Sequence, residues 1–254
     1  MRSWLAALLA ACLLPAPAAA ETLVTSLSSH QVQITSNYTG AQVVLFGAVE
    51  QDAQSVARSG DYDIVVTVRG PRQTVTVREK EPLGPIWINR EQQTFADMPA
   101  YLGVFSSRPI ADVTTDPLRR RFRIGIDAFV NAPDATLEGG KGDDPFREAL
   151  VRLKTRERLF VEEPRGVAFL TPTLFRAAIG VPATAPPGPY EVEIALFWGS
   201  VLLARTQTHF ELLKTGFEQQ VGELARDWSA LYGGVTGIFA LLFGWIASVI
   251  FRRD

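Results

Sequence analysis

The chain has one cysteine, Cys12, two histidines, His30 and His209, and two methionines in 254 residues. Once an N-terminal leader containing Cys12 is removed, no disulfide is available, so an exported domain must be held by its apolar core alone. Two histidines far apart, with no HExxH, GxSxG or CxxC pattern anywhere, leave no motif for zinc hydrolysis, a nucleophile elbow or dithiol chemistry. His209 shares its parity with Gln207 and Glu211 on an outward strand face, and His30 follows Ser28-Ser29 in a loop. Neither has a sequence partner for acid–base work. Strong charge of one sign is also missing. Residues 21–227 carry 22 Lys and Arg against 26 Asp and Glu, a net charge of −4, which gives no electrostatic reason to expect nucleic acid.

Long apolar runs are present only at the two ends. Met1-Arg2-Ser3 precedes the run Trp4 to Leu14, and Ala18 and Ala20 lie just before Glu21. This has the form of a secretory signal peptide over 1–20, cleaved after Ala20, and the run is too short to span a bilayer. Leu9-Ala10-Ala11-Cys12 offers the alternative of a lipoprotein box, with Cys12 lipidated. At the other end, Trp228 to Phe251 runs 24 residues without a charge and is followed by Arg252-Arg253-Asp254. That length crosses a hydrocarbon core of roughly 30 Å, and the terminal arginines mark the cytoplasmic side. The expected location is a bacterial inner membrane, crossed once at 228–251, with the N-terminal domain in the periplasm and residues 252–254 in the cytoplasm.

Between these ends the pattern is mainly β. Val32 and Ile34 alternate with Gln31 and Gln33, and Val43 to Val49 is nearly all apolar, which predicts a strand buried on both faces. Ile64, Val66 and Val68, then Val75 and Val77, alternate with polar residues. A four-residue loop over Gly70 to Gln73 would pair Val68 with Val75 and Val66 with Val77 in a hairpin. Pro85 to Asn89 predicts a further short strand. Over about 90–158 the character becomes helical: Asp116-Pro117 and Asp144-Pro145 each set an N-cap acceptor before a proline suited to the first helical turn. Leu118, Phe122, Gly125, Ile126 and Phe129 would share one helix face, and Phe146, Leu150 and Leu153 another. Strands return at Leu159 to Glu162, Gly166 to Leu170, Leu174 to Val181, Tyr190 to Trp198 and Leu202 to Leu213.

Two local patterns are more specific. Gly188-Pro189-Tyr190-Glu191-Val192 has the spacing of the tyrosine corner of immunoglobulin-like sandwiches, the alternative being an ordinary strand tyrosine after a Pro-rich loop. In the last hairpin, a regular ladder closed by Gly199-Ser200 would put Ile194 opposite Arg205 and mix core with solvent. An odd loop or a bulge aligns Leu196 with Ala204, Ile194 with Thr206, Val192 with Thr208 and Tyr190 with Phe210. The offset register is predicted. Thr215-Gly216-Phe217-Glu218 then fits a capping box opening an amphipathic helix over 214–227. The expected fold is a mainly β, immunoglobulin-like sandwich over 21–213 with a helical insertion at about 90–158, plus the C-terminal transmembrane helix. Two small β-domains flanking a helical segment are the alternative.

Gln33-Ile34-Thr35-Ser36-Asn37-Tyr38-Thr39-Gly40, Val44-Leu45-Phe46-Gly47-Ala48, Gly84-Pro85-Ile86-Trp87-Ile88-Asn89, Ser106-Ser107-Arg108-Pro109, Pro187-Gly188-Pro189-Tyr190, Lys214-Thr215-Gly216-Phe217-Glu218 and Leu231-Tyr232-Gly233 occur in this order. The chain thereby resembles the alphaproteobacterial transmembrane protein family Alph_Pro_TM over nearly all of its mature length. The resemblance implies an exported domain on a C-terminal anchor, and company with inner-membrane anion exporters of the sulfite-exporter type. It brings no activity and no catalytic residues.

Candidate sites follow from residue spacing. Ser229, Gly233, Gly237, Ala240, Gly244 and Ala247 recur at intervals of four and three and fall within an arc of about 80° of a helix. Such a small-residue stripe lets another helix approach closely, although glycine is common in membrane helices generally. Arg119, Arg120, Arg121 and Arg123 form the one dense basic cluster. Either they solvate a helix face, or Arg119, Arg120 and Arg123 form a dock for anionic headgroups, an acidic partner or a small oxyanion. Asp61 with Asp63, and Asp143 with Asp144, lack the spaced oxygens that calcium needs and suit a solvated strand end and a helix cap. Gly139-Gly140-Lys141-Gly142 lacks the Ser or Thr of a phosphate loop.

No cofactor, metal or catalytic residue is expected. The functional expectation is a membrane-anchored periplasmic accessory or scaffold protein, partnering a membrane protein, such as an anion exporter, or itself through its span, with a periplasmic ligand of unknown kind. The alternatives are a solute-binding domain serving a transporter, and an envelope enzyme with Asp or Glu as acid and base.

Overall fold

The computed structural model describes residues 21–34, 40–50, 61–131, 144–214 and 229–251. The expected signal peptide, the family stretch at 35–39, the glycine loop before Asp144, the capping box expected at Thr215 and the terminal arginines lie outside the described residues.

Two sheets dominate. The first has the order β1 (Thr22–Leu27), β3 (Gly40–Glu50), β10 (Leu174–Pro182), β9 (Val167–Phe169), all antiparallel. The second runs β2 (Gln31–Ile34), β12 (Val201–Lys214), β11 (Gly188–Trp198), β4 (Asp63–Arg69), β7 (Leu102–Ser106), β8 (Phe160–Pro164). Its two outermost pairs, β2 with β12 and β7 with β8, are parallel. Strands from both ends of the chain pair in both sheets, as in β3 with β10 and β4 with β11, which two separate β-domains could not do. Leu45, Phe175 and Ile179 of the first sheet pack against Val66, Ile194 and Phe210 of the second in one core, as two facing sheets of alternating residues require.

The other face of the six-stranded sheet is also covered. Val65, Val104, Ala195 and Phe197 meet Ile110, Val113, Ile124, Val130 and Leu150 in a second core, built by α1 (Ile110–Val113), α2 (Asp116–Phe122), α3 (Ile126–Val130) and α4 (Pro145–Arg156). Being covered twice, β4 buries residues of both parities, from Asp63 to Val68.

The strand order overturns the hairpin expected at Gly70 to Gln73. Both edges of β4 are taken, by β11 and β7, so Val75 and Val77 cannot pair with it. Instead the chain leaves the sheet at Gly70-Pro71, and β5 (Arg72–Leu83) pairs with β6 (Ile86–Pro99) in a separate hairpin. Its turn is Gly84-Pro85, where Gly84 has φ 62°, the left-handed region that glycine enters without a Cβ penalty. The short strand expected at Pro85 to Asn89 is thus the start of a long one. Leu83, Ile86 and Trp87 stand exposed at its tip.

Other expectations need correction. The helical insertion does not begin near residue 90, because β6 and β7 occupy 86–106; the helices span 110–130 and 145–156. The continuous face from Leu118 to Phe129 is broken at Arg123, in the left-handed conformation with φ 54° and ψ 45°. Asp116 is the first helical residue rather than the cap, which is Thr115 without a side-chain hydrogen bond. β3 alternates, with Val43, Leu45 and Val49 buried and Phe46 exposed, because it is covered on one side only. Leu153 is exposed although Leu150 is buried.

Several local readings hold. Asp144 caps α4, accepting from Phe146 N at 3.0 Å. β11 and β12 pair Leu196 with Ala204, Ile194 with Thr206, Val192 with Thr208 and Tyr190 with Phe210. The offset comes from a bulge: Gly199-Ser200 is a two-residue turn, both at positive φ, and the ladder shifts between Leu196 and Phe197 so that Leu203 is the extra residue. Tyr190 is fully buried and its hydroxyl donates to Pro186 O at 2.7 Å, the upstream backbone bond of a tyrosine corner.

The last helix, α5, runs Ser229–Phe251. Side chains along it are described at Gly233, Gly234 and Thr236 to Ser248, and all of these are exposed. Among the described residues no helix is long and apolar enough to cross a membrane.

Candidate functional site

The fold divides the basic cluster of α2. Arg119 turns back to Asp116, Nη1 to Oδ1 at 3.2 Å, and with Arg120, Asp127 and Asn131 it borders a shallow hollow of about 270 Å³. Arg123 goes elsewhere. The left-handed turn that ends α2 sets Arg121, Phe122 and Arg123 along a second cavity, of about 280 Å³, whose opposite wall carries Arg69, Arg72 and Arg205. Of the expected trio, therefore, only Arg123 belongs to this concentration of guanidinium groups.

The cavity is anchored by Glu193, a residue the sequence reading passed over. β11 is a central strand, so Glu193, at the parity of Ala195 and Phe197, points into the second core and is only 5% exposed. A carboxylate there requires charged partners. They come from the two flanking strands on diagonal positions. Arg69 of β4 brings Nη2 to 2.9 Å from Oε2, an ion pair without hydrogen-bond alignment, since Glu193 Oε2 and Arg69 Nε are buried with no hydrogen bond. Arg205 of β12 donates from Nε to Oε1, with Nη2 also in contact.

Aromatic rings fix the same arginines from the helical side. The Arg69 guanidinium lies 5.7 Å from the centroid of Phe129, and Arg205 lies 5.7 Å from that of Phe122, whose ring is also 5.5 Å from Arg121. Such stacking favours a cation on the π-face. At the rim Arg72 pairs with Asp97, both more than half exposed. Among the described residues, five guanidinium groups border this cavity, with Asp97 at its rim, Glu193 beneath Arg69 and Arg205, and Glu191 opposite Arg69 in the ladder. A clue was present in the sequence: one glutamate inside Val192-Glu193-Ile194-Ala195-Leu196-Phe197 demands a buried cationic partner.

A larger cavity, about 740 Å³, lies near the Gly199 turn and is bordered by Tyr62, Trp198 and Phe169. Asp63, expected at a solvated strand end, is 2% exposed there. Arg108 donates to both its oxygens and Ser107 Oγ donates to Oδ1 at 2.8 Å. The bond to Asp63, followed by the carboxylate's charge, raises the Arg108 pKa above its ordinary value. Ser107 also accepts from Ile64 N at 3.2 Å. Ser106-Ser107-Arg108-Pro109 therefore works as a clasp joining the end of β7 to the start of β4.

His30 and His209 are exposed, and among the described residues no three His, Cys, Asp or Glu side chains gather as metal ligands. On α5, a Cβ added at Gly233, Gly237 or Gly244 would meet nothing within 4 Å. Ala240 and Ala247 are exposed, and the Ser229 side chain lies outside the described residues.

The family model "Putative transmembrane protein (Alph_Pro_TM)" matches residues 22–253, and the chain belongs to that family. Neither a curated protein nor a solved structure matches it.

Proposed function

We propose that this chain is a membrane-anchored accessory protein, its β-rich domain exported to the periplasm and its helix α5 crossing the inner membrane beside a partner. The observation that carries the reading is one of sequence: Trp228 to Phe251 runs 24 residues without a charge, the length that a hydrocarbon core of roughly 30 Å needs, and within that stretch lies α5. Ile238, Phe239, Leu241, Phe243 and Trp245 are each more than half exposed on it. An uncharged helix of that length with bulk on its surface is stable in lipid and a liability in water. Membership of a family described as transmembrane supports the same reading.

The orientation rests on Arg252-Arg253 beyond the helix and on the leader at 1–20. The partner rests on the open glycines: Gly233, Gly237 and Gly244 leave a groove into which a second helix fits, from another membrane protein, an anion exporter among the candidates, or from a second copy. In this reading the domain is an immunoglobulin-like sandwich, supported by the Tyr190 corner. A solute-binding role draws support from the arginine-lined cavity; no described grouping of side chains favours the carboxylate enzyme.

Two measurements test the proposal. Alkaline carbonate washing of membranes should leave the chain in the pellet, and release into the supernatant would exclude the anchor. Purification in mild detergent should recover a stoichiometric membrane protein or a homo-oligomer; a lone monomer would exclude the partner.

A further inference from the structure

We propose that the cavity between β4, β12, β6 and the α2–α3 turn binds a phosphate- or sulfate-type oxyanion. The inference does not depend on whether α5 spans a membrane.

Charge is the first argument. Glu193 is occupied by Arg69 and Arg205 on the floor side, and Asp97 is drawn to Arg72 at the rim. Leaving Arg123 aside, Arg69, Arg72, Arg121 and Arg205 stand around a space of about 280 Å³, against the described carboxylates Glu193, Asp97 and, opposite Arg69 in the ladder, Glu191. A further negative group accepted from solution relieves the mutual repulsion of these cations, and a tetrahedral oxyanion offers enough acceptor oxygens to meet several forked donors at once.

Preorganisation is the second. Arg69 is held by an ion pair below and the Phe129 ring beside it, and Arg205 by Glu193 and the Phe122 ring. Side chains fixed in this way lose little further freedom when a ligand arrives. A guanidinium presents five donors, so the contacts to Glu193 leave others on Arg205 and Arg69 for an anion. Arg123 is placed by a left-handed backbone conformation that costs a non-glycine residue energy and tends to be kept where a side chain must be aimed.

Size and shape are the third. The space accommodates one oxyanion with a small substituent or a few waters, and it is concave. An acidic protein surface would need an extended convex contact instead. Apolar Phe122, Phe129 and Met98 on its walls admit the organic part of a phosphate ester.

The test is isothermal titration of the full chain in dodecyl maltoside at low ionic strength. One arm uses inorganic phosphate; the other uses dihexanoylphosphatidylglycerol below its micellar concentration, which carries the same group as a lipid headgroup. Saturable binding of phosphate identifies a free anion as the ligand, and binding of the lipid analogue alone identifies a headgroup. In either case the double variant Arg121→Gln with Arg123→Gln should bind roughly tenfold more weakly or worse. Arg120→Gln, in the neighbouring hollow, should stay within about twofold. If the double variant fails to fold, Arg72→Gln, whose side chain is 66% exposed, must by itself weaken binding. No binding of either probe to the unmodified chain overturns the proposal, as does unchanged affinity in the double variant, or in Arg72→Gln where that variant stands in for it.

Discussion

Arg69 and Glu193 meet diagonally across the β4–β11 ladder, Nη2 to Oε2 at 2.9 Å, while the residue directly opposite Arg69 is Glu191. Because β11 is a central strand, Glu193 is out of reach of bulk water, and its charge rests on Arg69 and Arg205. The pair fastens the sheet to the helical layer, since each arginine continues to a ring of α2 or α3.

Glu193→Gln should therefore destabilise the domain by about 2–3 kcal/mol, at the lower end for a broken buried pair because Arg205 keeps partial access to solvent. Arg205→Gln should cost less, about 1 kcal/mol, since Arg69 remains opposite the carboxylate. Denaturant midpoints for the two variants provide the comparison; the reverse order would mean that Arg205, not Glu193, is the indispensable member.

Tyr101 predicts an alkaline limit. Burial, then the charge of Glu163, then Tyr190 raise its phenol pKa well above the usual value of 10.0. The neutral form is the one the fold prefers, so its contribution is complete below about pH 10 and is lost as pH rises from there towards the folded pKa. Tyr101→Phe should flatten this alkaline decline. At neutral pH it should also cost about 1 kcal/mol, because Gly180 O loses its donor at 2.8 Å. Thermal melts between pH 7 and 11 distinguish the two effects, and parallel curves for the two proteins would refute the assignment.

Tyr190→Phe leaves the stack on Phe210, with centroids 5.0 Å apart, and removes the hydroxyl that donates to Pro186 O. The expected loss is about 1–1.5 kcal/mol with no change of fold. A far larger loss would show that the corner sets the path of the chain into β11 as well as stabilising it.

Gly237→Ile with Gly244→Ile should abolish or strongly weaken association of α5 in a membrane two-hybrid assay, because a branched side chain fills the groove that the open glycines leave. Substitution of Leu241, 77% exposed, by Ala should have little effect. Equal signals from both changes would remove the stripe as an interface.

The sequence by itself determined what depends on neighbours along the chain. The parity of Tyr190, Val192, Ile194 and Leu196 against Ala204, Thr206, Thr208 and Phe210 fixed the β11–β12 register, because a slip of one residue would turn the apolar set outward. The Asp144 cap and the Gly188–Tyr190 spacing were equally local. Only the tertiary structure decided which strands flank β4, since a segment buried on both faces carries no mark of its partners and sequence adjacency misdirected it towards Val75. Only the tertiary structure, likewise, split Arg119 and Arg120 from Arg123 and brought Arg69, Arg72 and Arg205 to join it. That assembly arises from one backbone reversal at Arg123 and from the desolvation of Glu193, and a buried charge selects partners by distance in space rather than by spacing in the chain.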